Sequence, residues 1–174
     1  MGARAGARLR AVQALYQIAL VGDSVEAVVR GILDAGGVTS GAAPEPDEPH
    51  FGQIDEPFFE ALVTGASREA EALDNMLAGV LVEGWPVERL ELLLRLILRA
   101  GAFELGHWPE IPARVVVSQY VDIAHAFLDD KQTAMVNGVL DRLAHGLRLE
   151  EFGEGAGGSG PVDDTPDRDE EGTG

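Results

Sequence analysis

The chain has 174 residues, 45% hydrophobic and 25% charged, the balance of an ordinary globular domain. It has no Cys, which excludes disulfides and thiol chemistry. Its formal net charge of −17 argues against a phosphate-bearing partner, because basic residues supply most of the affinity for phosphates. That charge is polarised. Residues 1–20 hold three Arg and no acid, whereas residues 150–174 hold nine acids and one Arg.

The spacing predicts a first helix from about Arg4 to Leu20, with Leu9, Val12, Tyr16 and Ala19 as its buried stripe. Its polar and apolar residues alternate at helical spacing, which reads as a folded helix and not as a targeting segment. Gly22 ends it, and Asp23 or Ser24 caps a second helix with Val25, Val28, Val29, Ile32 and Leu33 inward. Residues 36–53, with Gly36-Gly37 and Pro44-Glu45-Pro46-Asp47-Glu48-Pro49, read as an acidic loop. A third helix starts near Asp55-Glu56-Pro57 and carries apolar residues from Phe58 to Leu81, weakened at Gly65 and Gly79.

Trp85-Pro86 opens a fourth helix that runs to about Leu105. One stripe is Leu90, Leu94, Ile97, Gly101 and Leu105; a second is Leu92, Leu96 and Phe103. A helix apolar on two sides is buried all round or meets a partner. After the connector Trp108-Pro109-Glu110-Ile111-Pro112, a fifth helix places Val116, Tyr120, Ile123 and Phe127 inward. Asp129-Asp130 separates it from a sixth, with Val136, Val139, Leu140, Leu143 and Leu147 inward. Asn137-Gly138 between apolar residues also suits a hairpin turn. The helical spacing outruns a short strand on both sides, so helix is the better reading, with Gly138 kept for a closely approaching helix.

The expected fold is therefore all-α: a compact bundle of about six to seven helices in residues 1–150, in sub-bundles of about 1–82 and 83–150. Residues 151–174 form an acidic, Gly-rich tail expected to be disordered. Within it, Gly155 to Gly160 matches a dinucleotide-binding spacing without the flanking strand and helix that chemistry requires. No segment approaches the roughly 20 apolar residues needed to span a bilayer, so a cytoplasmic protein without membrane contact is expected. His50, His107, His125 and His145 are scattered, and no phosphate-binding loop or nucleophile elbow is present. The reading is not an enzyme, with no metal and no cofactor.

Several stretches are similar to blocks of one family. Ala7 to Gln17 reads ARLRAVQALYQ, and Leu98 to Leu105 reads LRAGAFEL. Ile111-Pro112-Ala113-Arg114-Val115 follows, then Val136-Asn137-Gly138-Val139-Leu140-Asp141. In order and spacing these resemble the NusB family over about residues 4–148. The resemblance implies two packed helical sub-bundles and transcription antitermination. It implies binding of a boxA element in nascent RNA together with the ribosomal protein NusE, within the RNA polymerase antitermination complex, promoting read-through of ribosomal RNA operons. The sequence departs from the family pattern where Ala5, Gly6 and Ala7 separate the arginines, where Met135 stands in place of Phe, and where Gln119 stands in place of an acid.

Two surfaces are candidates for RNA. On the first helix, Arg10, Gln13 and Gln17 share an exposed face, with Arg4, Arg8 and Tyr16 nearer the apolar side. On the sixth, Lys131, Met135 and Arg142 form a stripe beside the core face. Arg and Lys would hold phosphates, while unstacked bases rest on apolar or aromatic groups. Leu92, Leu96 and Phe103 are the candidate stripe for packing between the halves, and with Arg99 for meeting NusE. The rival reading is a protein-only adaptor that binds NusE or another basic partner without RNA, motivated by the −17 charge. The acidic tail is a candidate electrostatic gate that folds back on the first helix.

Overall fold

The computed structural model describes residues 2–37, 54–82 and 85–153. Most of the expected acidic loop, from residue 38, and the tail, from residue 154, lie outside the described residues, as does the 155–160 glycine run. Gly36 and Gly37, expected in the loop, belong to a helix. The described residues form eight α-helices and no strand. They are α1 (Ala3–Val21), α2 (Val25–Gly37), α3 (Glu56–Arg68), α4 (Ala70–Ala78), α5 (Leu92–His107), α6 (Ala113–Phe127), α7 (Asp130–Leu147) and the single turn α8 (Leu149–Phe152). None of them is long and apolar enough to cross a membrane.

Local chemistry sets most boundaries. Gly22 stops α1 in the left-handed region at φ 78°, its N–H donating to the Ile18 carbonyl, a conformation open to glycine at little cost. Ser24 Oγ accepts from the Ala27 N–H at the start of α2. Asp55 caps α3 by accepting from the Phe58 N–H. Asp129, placed between helices by the sequence, caps α7 in a reciprocal box with Gln132. The Asn137-Gly138 pair lies inside α7, so the helical reading holds.

Two boundaries differ from expectation. The single third helix is two, broken at Glu69, where the backbone turns to φ −98°, ψ 15°. Both pieces present one continuous apolar stripe, which conceals the break in the sequence. Trp85-Pro86 opens a 3-10 turn, Val87–Arg89. Leu90 and Glu91 are then extended, so α5 starts at Leu92. This detour buries Val87 and Leu90.

α5 is the spine, touching α1, α3, α4, α6 and α7. It is buried on nearly every side, Leu94, Leu96, Ile97, Leu98, Phe103 and Leu105 included, as its two apolar stripes require. One apolar cluster runs from α1 through α7. Where Phe103 crosses α3 it lies against Gly65, and a Cβ there would come 2.0 Å from the ring. Gly65 is thus a point of close helix approach and not a weak point.

The exposed face of α1 is rotated from expectation. Ala7, Ala11, Ala14 and Leu15 are buried with Val12, whereas Tyr16 and Ala19 face out. Small residues let α1 approach α3 and α5 closely. Phe127 and Leu147, expected inward, are also exposed.

Arg148 closes the C-terminal half. Its guanidinium donates to the carbonyls of Leu105, Trp108 and Ile111 at the end of α5. Glu151 pairs with it at 2.8 Å and accepts from the Ala113 N–H at the start of α6. A cation at one helix C-terminus and an anion at another N-terminus each satisfy orphan backbone groups and oppose the helix dipole.

Candidate nucleic-acid interface

The basic first helix divides into a buried and an exposed part. Arg8 is only 4% exposed. Its Nε donates to both Glu104 oxygens, at 3.1 and 2.9 Å, and Nη2 reaches Oε1 at 2.5 Å. Tyr120 Oη donates to Glu104 Oε2 at 2.8 Å, and Gln119 Oε1 accepts from Arg8 at 3.5 Å. The Arg8 guanidinium also sits 5.3 Å from the Phe58 ring centre. The network joins α1, α5 and α6. Burial disfavours the Arg8 charge, but the hydrogen bond and charge of Glu104 outweigh it and raise its pKa. Burial first, then the Glu104 charge and its hydrogen bond, push Tyr120 well above the usual phenol range.

Arg8 is therefore corrected as a surface candidate: in this fold its charge faces Glu104, not solvent. Arg4 is exposed but pairs with Asp55 at 3.1 Å and lies over Phe58. Arg10 is half-buried; Gln13, Tyr16 and Gln17 are exposed. With Leu20 and Val21, at 60% and 66% exposure, Tyr16 forms an apolar patch at the end of α1.

The α7 candidates come together in a second place. Met135, half-buried, lines two adjoining cavities between α7 and residues 81–82 and 85–94. Lys131 and Arg142 stand at their edges, and so do Trp85 and Arg89, which the sequence reading did not single out. An exposed Trp before Pro was the available signal.

The proposed partner stripe is mostly interior. Leu96 and Phe103 are buried because α5 is covered on both sides, in keeping with the packing role expected of this stripe ahead of a partner contact. Arg99 holds Asp74 of α4 through two bonds of 2.6 and 2.5 Å. Leu92 is half-buried against the core.

Helical packing around α5 defines an all-α protein among the described residues. A sequence model of the NusB family matches residues 5–145, and the chain belongs to that family. It is 42% identical over 154 residues to the transcription antitermination protein NusB of Rhodopseudomonas palustris strain TIE-1, covering 87% of this chain and 84% of that one. Its fold is similar to T. maritima NusB, with TM-score 0.68 and 22% identity over 88% and 99% of the two chains. It is also similar, at TM-score 0.64 and 23% identity over 82% and 96%, to a chain in a crystal structure of the antitermination factors NusB and NusE in complex with double-stranded RNA.

Proposed function

We infer that the protein is a transcription antitermination factor that binds boxA-type RNA jointly with NusE and promotes read-through of ribosomal RNA operons. The observation that carries this is the family match over residues 5–145. The surface supports it. Exposed Arg4, Gln13 and Tyr16, with Arg10 beside them, and the groove around Lys131, Met135 and Arg142 offer phosphate-binding cations next to apolar platforms, the combination that suits unpaired RNA. The patch of Tyr16, Leu20 and Val21 is the better surface for NusE than α5, because it is open. The protein acts as a scaffold and not as an enzyme, in the cytoplasm with RNA polymerase. RNA and NusE each raise the other's affinity by linkage.

Titration of boxA RNA, with and without NusE, tests this reading. Binding is expected to prefer boxA over a scrambled RNA, to tighten with NusE and to weaken with salt. No preference for boxA overturns it. The protein-only adaptor keeps one observation in its favour, the pairing of Arg4 and Arg8 with Asp55 and Glu104. NusE capture with no RNA binding at low salt would establish that alternative.

A further inference from the structure

Asp55 ties the first turn of α1 to the first turn of α3. Its N–H donates to the Ala3 carbonyl at 3.2 Å. Its Oδ1 accepts from the Phe58 N–H at 3.1 Å, the bond that caps α3. Its Oδ2 accepts from Arg4 Nε, also at 3.1 Å. The Phe58 ring, buried at the start of α3, lies 5.3 Å from the Arg4 guanidinium carbon. Arg4 is thus held at Nε and across one face of its guanidinium. α1 has no side-chain cap of its own at Gly2, so these contacts fix the direction in which its first turn presents Arg4.

Arg8, one turn further along, provides the contrast. All three of its guanidinium nitrogens are bonded, two to Glu104 and one to Gln119, and the group is buried. The Arg4 side chain is 48% exposed, and among the described residues neither of its terminal nitrogens has a bonded acceptor. Those two nitrogens form the fork of the guanidinium that meets two phosphate oxygens at once. Asp55 therefore grips the arginine from the side and leaves the fork open. An arginine that is already ordered loses less side-chain freedom on binding than a mobile one. The same carboxylate repels a phosphate, but repulsion between exposed charges is screened by salt, so ordering is the larger effect at ordinary ionic strength.

We propose that Asp55 is a positioning residue for RNA binding, holding Arg4 by Nε over Phe58 so that its fork meets a backbone phosphate. The proposal rests on the RNA-binding reading above and adds to it an acid, the residue type that charge counting sets against RNA. Capping and positioning use different oxygens, Oδ1 and Oδ2, so they are separable. Asparagine and serine cap a helix about as well as aspartate, but neither offers Arg4 a second, charged oxygen.

The test is a double-mutant cycle on the full chain. Labelled single-stranded boxA RNA is titrated at one near-physiological salt concentration with the unaltered protein, Arg4→Gln, Asp55→Asn and the double variant, and the Tm of each is recorded. Arg4→Gln is expected to weaken binding. Asp55→Asn is expected to weaken it by about twofold to tenfold, although it deletes a negative charge, while its Tm changes little. Asp55→Ser should behave in the same way. With Arg4→Gln already in place, Asp55→Asn should leave binding level or tighten it, because only the repulsion is then removed. That reversal between backgrounds is one that a purely structural role does not produce. Unchanged or tighter binding by Asp55→Asn with Arg4 present overturns the proposal, and so does an equal loss in both backgrounds. Arg4→Gln binding as tightly as the parent overturns it too and leaves the antitermination reading standing. Absence of RNA binding by the unaltered chain overturns both readings.

Discussion

Arg8 shows how one residue type can carry opposite meanings. In the sequence it is one of three arginines in an acid-free segment, which suits phosphate. In the fold it is buried against Glu104, whose other oxygen is held by Tyr120. Removing one member of a buried pair leaves an uncompensated charge, so Arg8→Ala is expected to lower stability by about 3–5 kcal/mol. The triple replacement Arg8→Met, Glu104→Leu, Tyr120→Phe removes the buried ion pair and its phenol partner together and should recover most of that loss. Denaturant unfolding of both variants measures the difference; an Arg8→Ala variant as stable as the parent would contradict the network. RNA affinity, compared under conditions where each variant is folded, should change little in the triple variant.

Helix ends carry the next level of organisation. Arg148 and Glu151 tie the end of α5 to the start of α6, although they lie in the last described turns. The Arg148 hydrogen bond, then that of the Ala113 N–H, hold the Glu151 carboxyl below its ordinary value of 4.5. A depressed carboxylate contributes stability that is present above the unfolded value and lost as pH falls through the folded one. Glu151→Gln should therefore be less stable than the parent at neutral pH and converge with it in acid. Glu151 remains partly open to solvent, with its side chain 34% exposed, so the expected difference is below about 1 kcal/mol. Thermal unfolding across pH checks this, and parallel curves for the two proteins would refute it.

At the scale of the molecule, the proposed RNA binding requires a chain of −17 to keep its acids away from its few exposed cations. Residues 154–174 hold seven acids and one Arg. Their deletion is expected to raise RNA affinity at low salt, with the gain shrinking as salt screens the repulsion. An affinity unchanged at every salt concentration would show that the tail does not face the binding surface. Helix existence, the inward faces of α5 and most of α7, and the family blocks were legible in the sequence because burial imprints a periodic apolar pattern that local spacing records. The face of α1 was legible only in part, with Val12 buried and Gln13 and Gln17 exposed as expected but Tyr16 and Ala19 turned outward. Beside Val12 and Leu15 its buried side is built from Ala and from an Arg neutralised 96 positions away, and periodicity cannot register a partner that distant. The break at Glu69, the exposure of Phe127 and Leu147, and the meeting of Trp85 with Met135 and Gly138 were likewise decided in three dimensions. Each depends on which segments pack together, and local spacing carries the shape of a helix but not the identity of its neighbours.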